Sequence, residues 1–299
     1  MKSTICLFAA AFLSSGAAWA GEIDGSFTRE FRGVNRLELD SLFVATTVKG
    51  APGSSLKLEA FDIPKGARVE ANQEGGTLRV TVEKSWLVWL PMNRARLVLT
   101  IPETASCELA SASGSIAASG IDGALVKIRT ASGSIDCVDI GSVLEINSAS
   151  GSVSVKDTRA GTVIKTASGS ISLEKAPVDA VLFSRSGSIE ILEVDGAIKI
   201  DNTSGRVLVK DFSGRLYIRT VSGSIGLEEA ELTGESLFQS TSGSIKLDLD
   251  NRREDFRIKA TTVSGSVSLF GDKMKGGFEG GSGAYPLTLG TVSGSIRVQ

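Results

Sequence analysis

Apolar and polar residues alternate along most of this chain, and a Ser-Gly-Ser-Ile/Val motif interrupts the alternation at regular intervals. The motif is centred on Gly114, Gly133, Gly151, Gly169, Gly187, Gly205, Gly223, Gly243, Gly265 and Gly294, at spacings of 19, 18, 18, 18, 18, 18, 20, 22 and 29 residues. Two residues after the glycine every copy has Ile or Val, from Ile116 to Ile296. Four after it stand apolar residues such as Val155, Leu173 and Ile191, and five before it stand Leu109, Ile128, Ile146, Ile164 and their equivalents. Period two on both sides of the glycine means two short strands per unit, separated by a Ser-Gly corner. A unit of about 18 residues that repeats without helical periodicity predicts an all-β fold, a single-stranded parallel β-solenoid (β-helix), in which each coil stacks on the last.

Three positions before the glycine the inward parity holds Ser111, Thr130, Ser148, Thr166, Ser184, Asn202, Thr220, Ser240, Thr262 and Thr291, and the position just before the glycine is always Ser. Both columns read as internal hydroxyl ladders running from coil to coil, since a buried polar group needs a partner. The glycine itself is expected at a sharp turn with positive φ. The Ser-Gly-Ser motif is structural on this reading: a reactive site is needed once, whereas this motif occurs in every coil.

Residues 21–104 lack the motif but keep the alternation, in Leu37–Leu39, Leu56–Leu58, Leu78–Val82 and Leu97–Ile101. They are expected to form less regular coils and a cap, continuous with the regular solenoid over 105–299; a separate β-sandwich is the alternative. The run from Trp86 to Met92 is apolar and aromatic. Trp86, Trp89 and Met92 are a candidate contact with a membrane or a partner if the run protrudes, or a lid on the open end of the solenoid. Two insertions, Asp248–Asp255 and Gly271–Tyr285, read as flanking loops. The acids of the first are interrupted by Arg252 and Arg253, so a solvated loop is expected rather than a metal site. The chain ends on the strand pattern Ser295–Val298, which predicts an open edge and end-to-end association of copies.

Composition narrows the chemistry. The 299 residues include no histidine, which removes Ser-His triads, Cys-His nucleophiles and histidine-held metals. No cofactor or metal is expected. A formal net charge of -2 gives no pull toward nucleic acid. Outward positions Lys127, Arg129, Lys165 and Arg219, with Lys259, make one face modestly basic, a candidate surface for an anionic polysaccharide, although Glu145 and Asp201 interrupt it. Residues 1–20 read as a signal peptide: Lys2, an apolar run from Ile5 to Ala18, and Ala18-Trp19-Ala20 before a cleavage at Gly21; an uncleaved anchor is the alternative. Export to the periplasm, cell surface or medium follows. It permits a disulfide between Cys107 and Cys137, but both occupy ordinary core columns on different strands, so two buried free thiols are expected instead.

The signal peptide, the alternating start that closes on Val98-Leu-Thr-Ile-Pro102, and the many copies of Ala/Thr-Ser-Gly-Ser-Ile/Val together resemble the bacterial "putative adhesin" family, a domain of unknown function. The resemblance covers nearly the whole mature chain. It implies an exported β-solenoid of the cell envelope and carries over no catalytic residue. The reading that results is a non-enzymatic envelope or secreted scaffold that binds a polymer or an envelope protein. The alternative is a polysaccharide lyase or hydrolase on the same scaffold, which would need carboxylates or an Arg/Lys base gathered in one groove. The sequence shows no such cluster.

Overall fold

The computed structural model describes residues 19–22, 25–64, 66–84, 94–176 and 179–299. The expected signal segment through residue 18 and the candidate contact residues Trp86, Trp89 and Met92 lie outside them. The chain forms two compact units, Met1–Val143 and Leu144–Gln299. Regular structure among the described residues is β-strand, apart from one 3-10 turn at Arg253–Asp255.

The alternation reports the core faithfully. Side chains two and four residues after the corner glycines, and five before them, are at most 2 % exposed. Burying each Val, Ile or Leu is worth about 1.5–3 kcal/mol, which is how coils built mainly from aliphatic side chains can hold together.

In the first unit, Ser106–Ser111 lies between Arg36–Asp40 and Leu125–Thr130, and Ile116–Ile121 between Ala45–Ala51 and Ile135–Ile140, all parallel. Thr77–Lys84 and Arg96–Pro102 extend these two stacks in parallel. Beyond them the direction reverses. Thr77–Lys84 takes Ala67–Glu74 and then Trp19–Glu22, while Arg96–Pro102 takes Ser55–Ile63 and then Gly25–Arg32, all antiparallel. A half-buried strand has period two whichever way its neighbour runs, so the sequence pattern does not mark this reversal. Trp19 and Ala20, expected to leave with the signal, pair here with Ala71 and Glu70.

In the second unit, Val153, Ile171, Ile189, Val207 and Ile225 pair in succession, each eighteen residues after the last. The end of the chain departs from sequence order. Ile296–Val298 lies between Ile245–Leu249 and the later part of Phe256–Leu269, and Tyr285–Thr291 lies between Ser236–Ser240 and the earlier part of that strand. The last coil is therefore inserted inside the stack, which corrects the expected open edge at Ser295–Val298. The segment expected as a flanking loop is instead the strand Asp272–Gly280, antiparallel to Phe256–Leu269. Its other side has no strand partner among the described residues. It carries Lys273, Lys275 and Glu279, and charges on an outermost strand oppose edge-to-edge pairing.

Two expectations about the corners are also corrected. Of the ten corner glycines only Gly205 has positive φ. Glycine is required instead by close approach: a Cβ on Gly133 would overlap the carbonyl of Gly114, and those on Gly169, Gly187, Gly205, Gly223 and Gly243 would each overlap the carbonyl of the preceding corner glycine. Left-handed backbone occurs at a second corner six residues later, at Asp139, Asp157, Lys175, Glu193, Asp211 and Glu229. It shifts the inward parity, so the next buried side chains stand three residues after the last inward one, at Ile140, Thr158, Ala176, Val194, Phe212 and Ala230.

The hydroxyl column three before the glycine is internal, at 4–7 % exposure. Its partners, however, are backbone groups of the corners. Thr130 Oγ1 and Thr166 Oγ1 each accept the N–H of the glycine three residues on, at 2.9 Å, and Ser240, Thr262 and Thr291 donate to glycine carbonyls of adjacent coils at 3.0–3.1 Å. The serines just before the glycine face solvent or its margin, so no inner ladder forms there. Cys107 and Cys137 are both free and buried. Burial pushes the Cys107 thiol up to about 12 and that of Cys137 upward as well, so neither is a nucleophile near neutral pH.

Candidate functional site

Many outward charges in both units are paired, several of them between neighbouring strands. Arg79, Glu38, Arg36, Glu108 and Arg129 form a chain of ion pairs at 2.8–3.3 Å across four strands of the first unit. In the second unit Lys156 meets Glu174 at 2.7 Å and Lys210 meets Glu228 at 2.8 Å, each directly opposite in strand register. The hydrogen bond from Lys156 holds the Glu174 carboxyl below its ordinary value, and Lys210 does the same to Glu228. Alternation of charge from coil to coil is thus a cross-strand pairing rule.

One stretch of the second unit breaks this rule. Lys165, Phe183, Asp201 and Arg219 stand in register on four successive strands. With Arg185 they surround an open groove of about 530 Å³. Lys165 lies over the Phe183 ring, 5.6 Å from its centroid. Asp201 pairs with Lys199 of its own strand at 3.6 Å. Lys165, Arg185 and Arg219 have no carboxylate partner among the described residues.

On the inward side of the same strands stand Ser184, Asn202 and Thr220, the inward polar column of three consecutive coils. Ser184 Oγ, Asn202 Oδ1 and Thr220 Oγ1 are all buried without a hydrogen-bond partner. The same column is satisfied on both sides, at Thr166 and at Ser240. Unpaired buried polar atoms are costly and rare, and three in a row beneath one groove form a local departure from an otherwise satisfied repeat. This has a direct consequence for stability. Thr166→Val should cost about 1–3 kcal/mol, because it orphans the Gly169 N–H, whereas Thr220→Val should be neutral or stabilising, because it removes a group already unpaired. Urea midpoints of the two variants check this pair, and equal losses would mean that Thr220 is paired in solution.

Of the five basic positions named from sequence, the fold brings Lys165 and Arg219 into one groove and gives the other three acidic neighbours of their own. Arg129 is held by Glu108 at 2.9 Å, and Lys127 stands beside Glu108 in register on the first unit. Lys259 pairs with Glu279 at 3.3 Å. Phe183, Arg185 and the unsatisfied inward polar atoms were missed. The available signal was composition within columns: Asn202 is the one amide in the inward polar column, and Phe183 the one aromatic among the residues four before each glycine.

The structure also gathers carboxylates where the sequence showed no cluster. Asp195, Asp211, Glu229, Glu231 and Asp250 line a second open cleft of about 400 Å³, placed there by the left-handed corners at Asp211 and Glu229. A hydrogen bond and repulsion from Asp211 push the Glu229 carboxyl above its ordinary value of 4.5. A carboxyl raised by the fold stabilises it below that ordinary value and loses the contribution as pH climbs through the raised one. Glu229→Gln should therefore melt above the parent protein at neutral pH and level with it in acid. Thermal melts at the two pH values test this, and equal melting at neutral pH would show that the pair carries no repulsion. Among the described residues no three Cys, Asp or Glu side chains are grouped so as to hold a metal ion.

Parallel coils stacked through buried aliphatic columns, with an open polar groove across one face, define an all-β repeat protein of the solenoid class. The chain belongs to the Toastrack DUF4097 family, whose model matches residues 34–299. It is similar to a solved structure from Parabacteroides distasonis named "putative lipid binding protein", with 17% identity over 93% of this chain and 99% of that one and a TM-score of 0.43. A "putative adhesin" from Bacteroides fragilis shares 13% identity over 93% and 99% of the two chains, with a TM-score of 0.36. A "putative cell adhesion protein" from Clostridium sporogenes shares 10% over 95% and 99%, with a TM-score of 0.20. No curated protein matches in sequence.

Proposed function

We propose that this protein is an exported, non-enzymatic binding protein of the cell envelope or its surroundings, which offers the groove between Lys165 and Arg219 to a polymer or protein surface. The observation that carries this reading is the gathering of three cations without a carboxylate partner, Lys165, Arg185 and Arg219, with the Phe183 ring in one open groove, in a fold that pairs such charges at Lys156 and Lys210. A site kept unsatisfied in the free protein is suited to a ligand that completes it. The signal-like first twenty residues support export. No helix among the described residues is long and apolar enough to cross a membrane. The Trp86–Met92 run remains our candidate for a membrane or partner contact.

The acidic cleft is the observation that favours an enzyme, since glycoside hydrolysis uses paired carboxyls. Its chemistry is unfavourable for that role. Asp211 stands close enough to Glu229 to push its carboxyl up, whereas retaining hydrolases keep the two groups about 5–5.5 Å apart and inverting ones farther, to admit the sugar or water between them. A glycan array combined with a turnover screen on polyuronides tests the reading. Retention without turnover is expected, and turnover would overturn it.

A further inference from the structure

We infer that the groove takes an acidic glycan, a sugar chain carrying carboxylates at intervals, laid across the coils from Lys165 to Arg219. The inference rests on the binding reading above and names its ligand class. Three features of the groove select this chemistry together. Lys165 and Arg219 are separated by three strand spacings, about 14 Å, so they address charges spread along an extended polymer rather than one compact anion. Asp201 lies between them in register, which penalises a dense polyanion such as a nucleic acid or polyphosphate but tolerates a chain whose charges are sparse. Phe183 supplies an apolar ring in the same row, a surface for the carbon-bound hydrogens of a sugar face.

The parallel register makes the geometry regular. Successive outward side chains from Lys165 to Arg219 lie one strand apart. A glycan lying along the stack would meet charge at intervals with an apolar ring between, whereas a peptide in an extended conformation would bind by pairing with a free strand edge. The groove lies on the sheet face and offers no such edge.

Isothermal titration of the full chain with galacturonate, mannuronate and hyaluronan oligomers tests the inference. At least one of the three should bind, with an affinity that falls as salt is raised, and its carboxyl-reduced counterpart should not. Arg185→Ala combined with Arg219→Ala should weaken that binding at least about tenfold while leaving the melting temperature unchanged, because both side chains are exposed and unpaired. Lys273→Ala, on the outermost strand of the same unit, should bind as the parent does. Failure of all three oligomers to bind, equal affinity for the carboxyl-reduced chain, or full binding by the double arginine variant would each overturn the inference. Binding of inorganic polyphosphate through the same arginines in place of the uronates would also overturn it, yet would leave the binding reading intact. An array on which neither the parent protein nor the variant retains any glycan or protein would remove both.

Discussion

Gly243→Ala is expected to destabilise the second unit by about 3 kcal/mol or more, among the largest losses available from adding one methyl group. A Cβ at Gly243 would stand on the carbonyl of Gly223, in the adjacent coil, and also close to Ser240 Oγ, 2.7 Å away. The first obstacle is backbone, so no rotamer change relieves it, and moving one corner apart would pull on the stacked strands beside it. The carbonyl of Gly243 is in turn the group that a Cβ on Gly294 would strike, and that of Gly294 the one a Cβ on Gly265 would strike. The corners from Gly223 to Gly265 therefore behave as one column. Gly161→Ala is the control: its Cβ would find nothing nearer than the Asp179 carbonyl oxygen at 3.9 Å, and removing a glycine where the space is open stabilises slightly through the unfolded chain. Urea unfolding of the two variants should give midpoints displaced in opposite directions. Equal midpoints would mean that the corner column is not close-packed in solution.

The same glycine column explains which parts of the architecture could be read from sequence. Strand residues beside each corner were legible because a strand with one buried face imposes period two, and residues such as Ile189, Ile191 and Ile200 stand at the predicted inward positions. The second corner was not legible. Left-handed backbone at Glu193 or Asp211 breaks the parity, and Val194 and Phe212 become inward residues at an interval that no single period predicts. The insertion of the last coil was equally hidden, since pairing order in space is not recorded in a linear pattern; the one trace is the 29-residue step from Gly265 to Gly294, where the chain spends extra residues on the reversed strand Asp272–Gly280. The groove falls between these cases. Lys165 and Arg219 could be placed on one face by column arithmetic, but whether a cation is free or paired depends on its neighbour across the coil. Lys156 and Lys165 look alike in sequence, and only the first has a glutamate opposite it.

Phe238→Ala is expected to cost about 3–5 kcal/mol, the range for removing a fully buried aromatic ring. Phe238 occupies the column that Ile or Leu fills in most coils, and its exposure is nil. It pairs in register with Ile218 on one side and with Leu289 on the other, so the ring lies between a coil of the regular repeat and the inserted last coil. Truncation leaves a void that neither neighbour can fill without breaking its own strand register, and the cost therefore lies in the cavity as well as in lost burial. Phe238→Leu, which restores the side-chain type of the rest of the column, should recover most of the loss. If the last coil docks late in folding, the alanine variant should unfold faster with little change in folding rate, because interactions absent from the transition state affect the unfolding limb. Stopped-flow chevrons of the parent and of Phe238→Ala decide this. A slowed folding limb would place the inserted coil in the nucleus, whereas a raised unfolding limb alone would make it the last part of the stack to close.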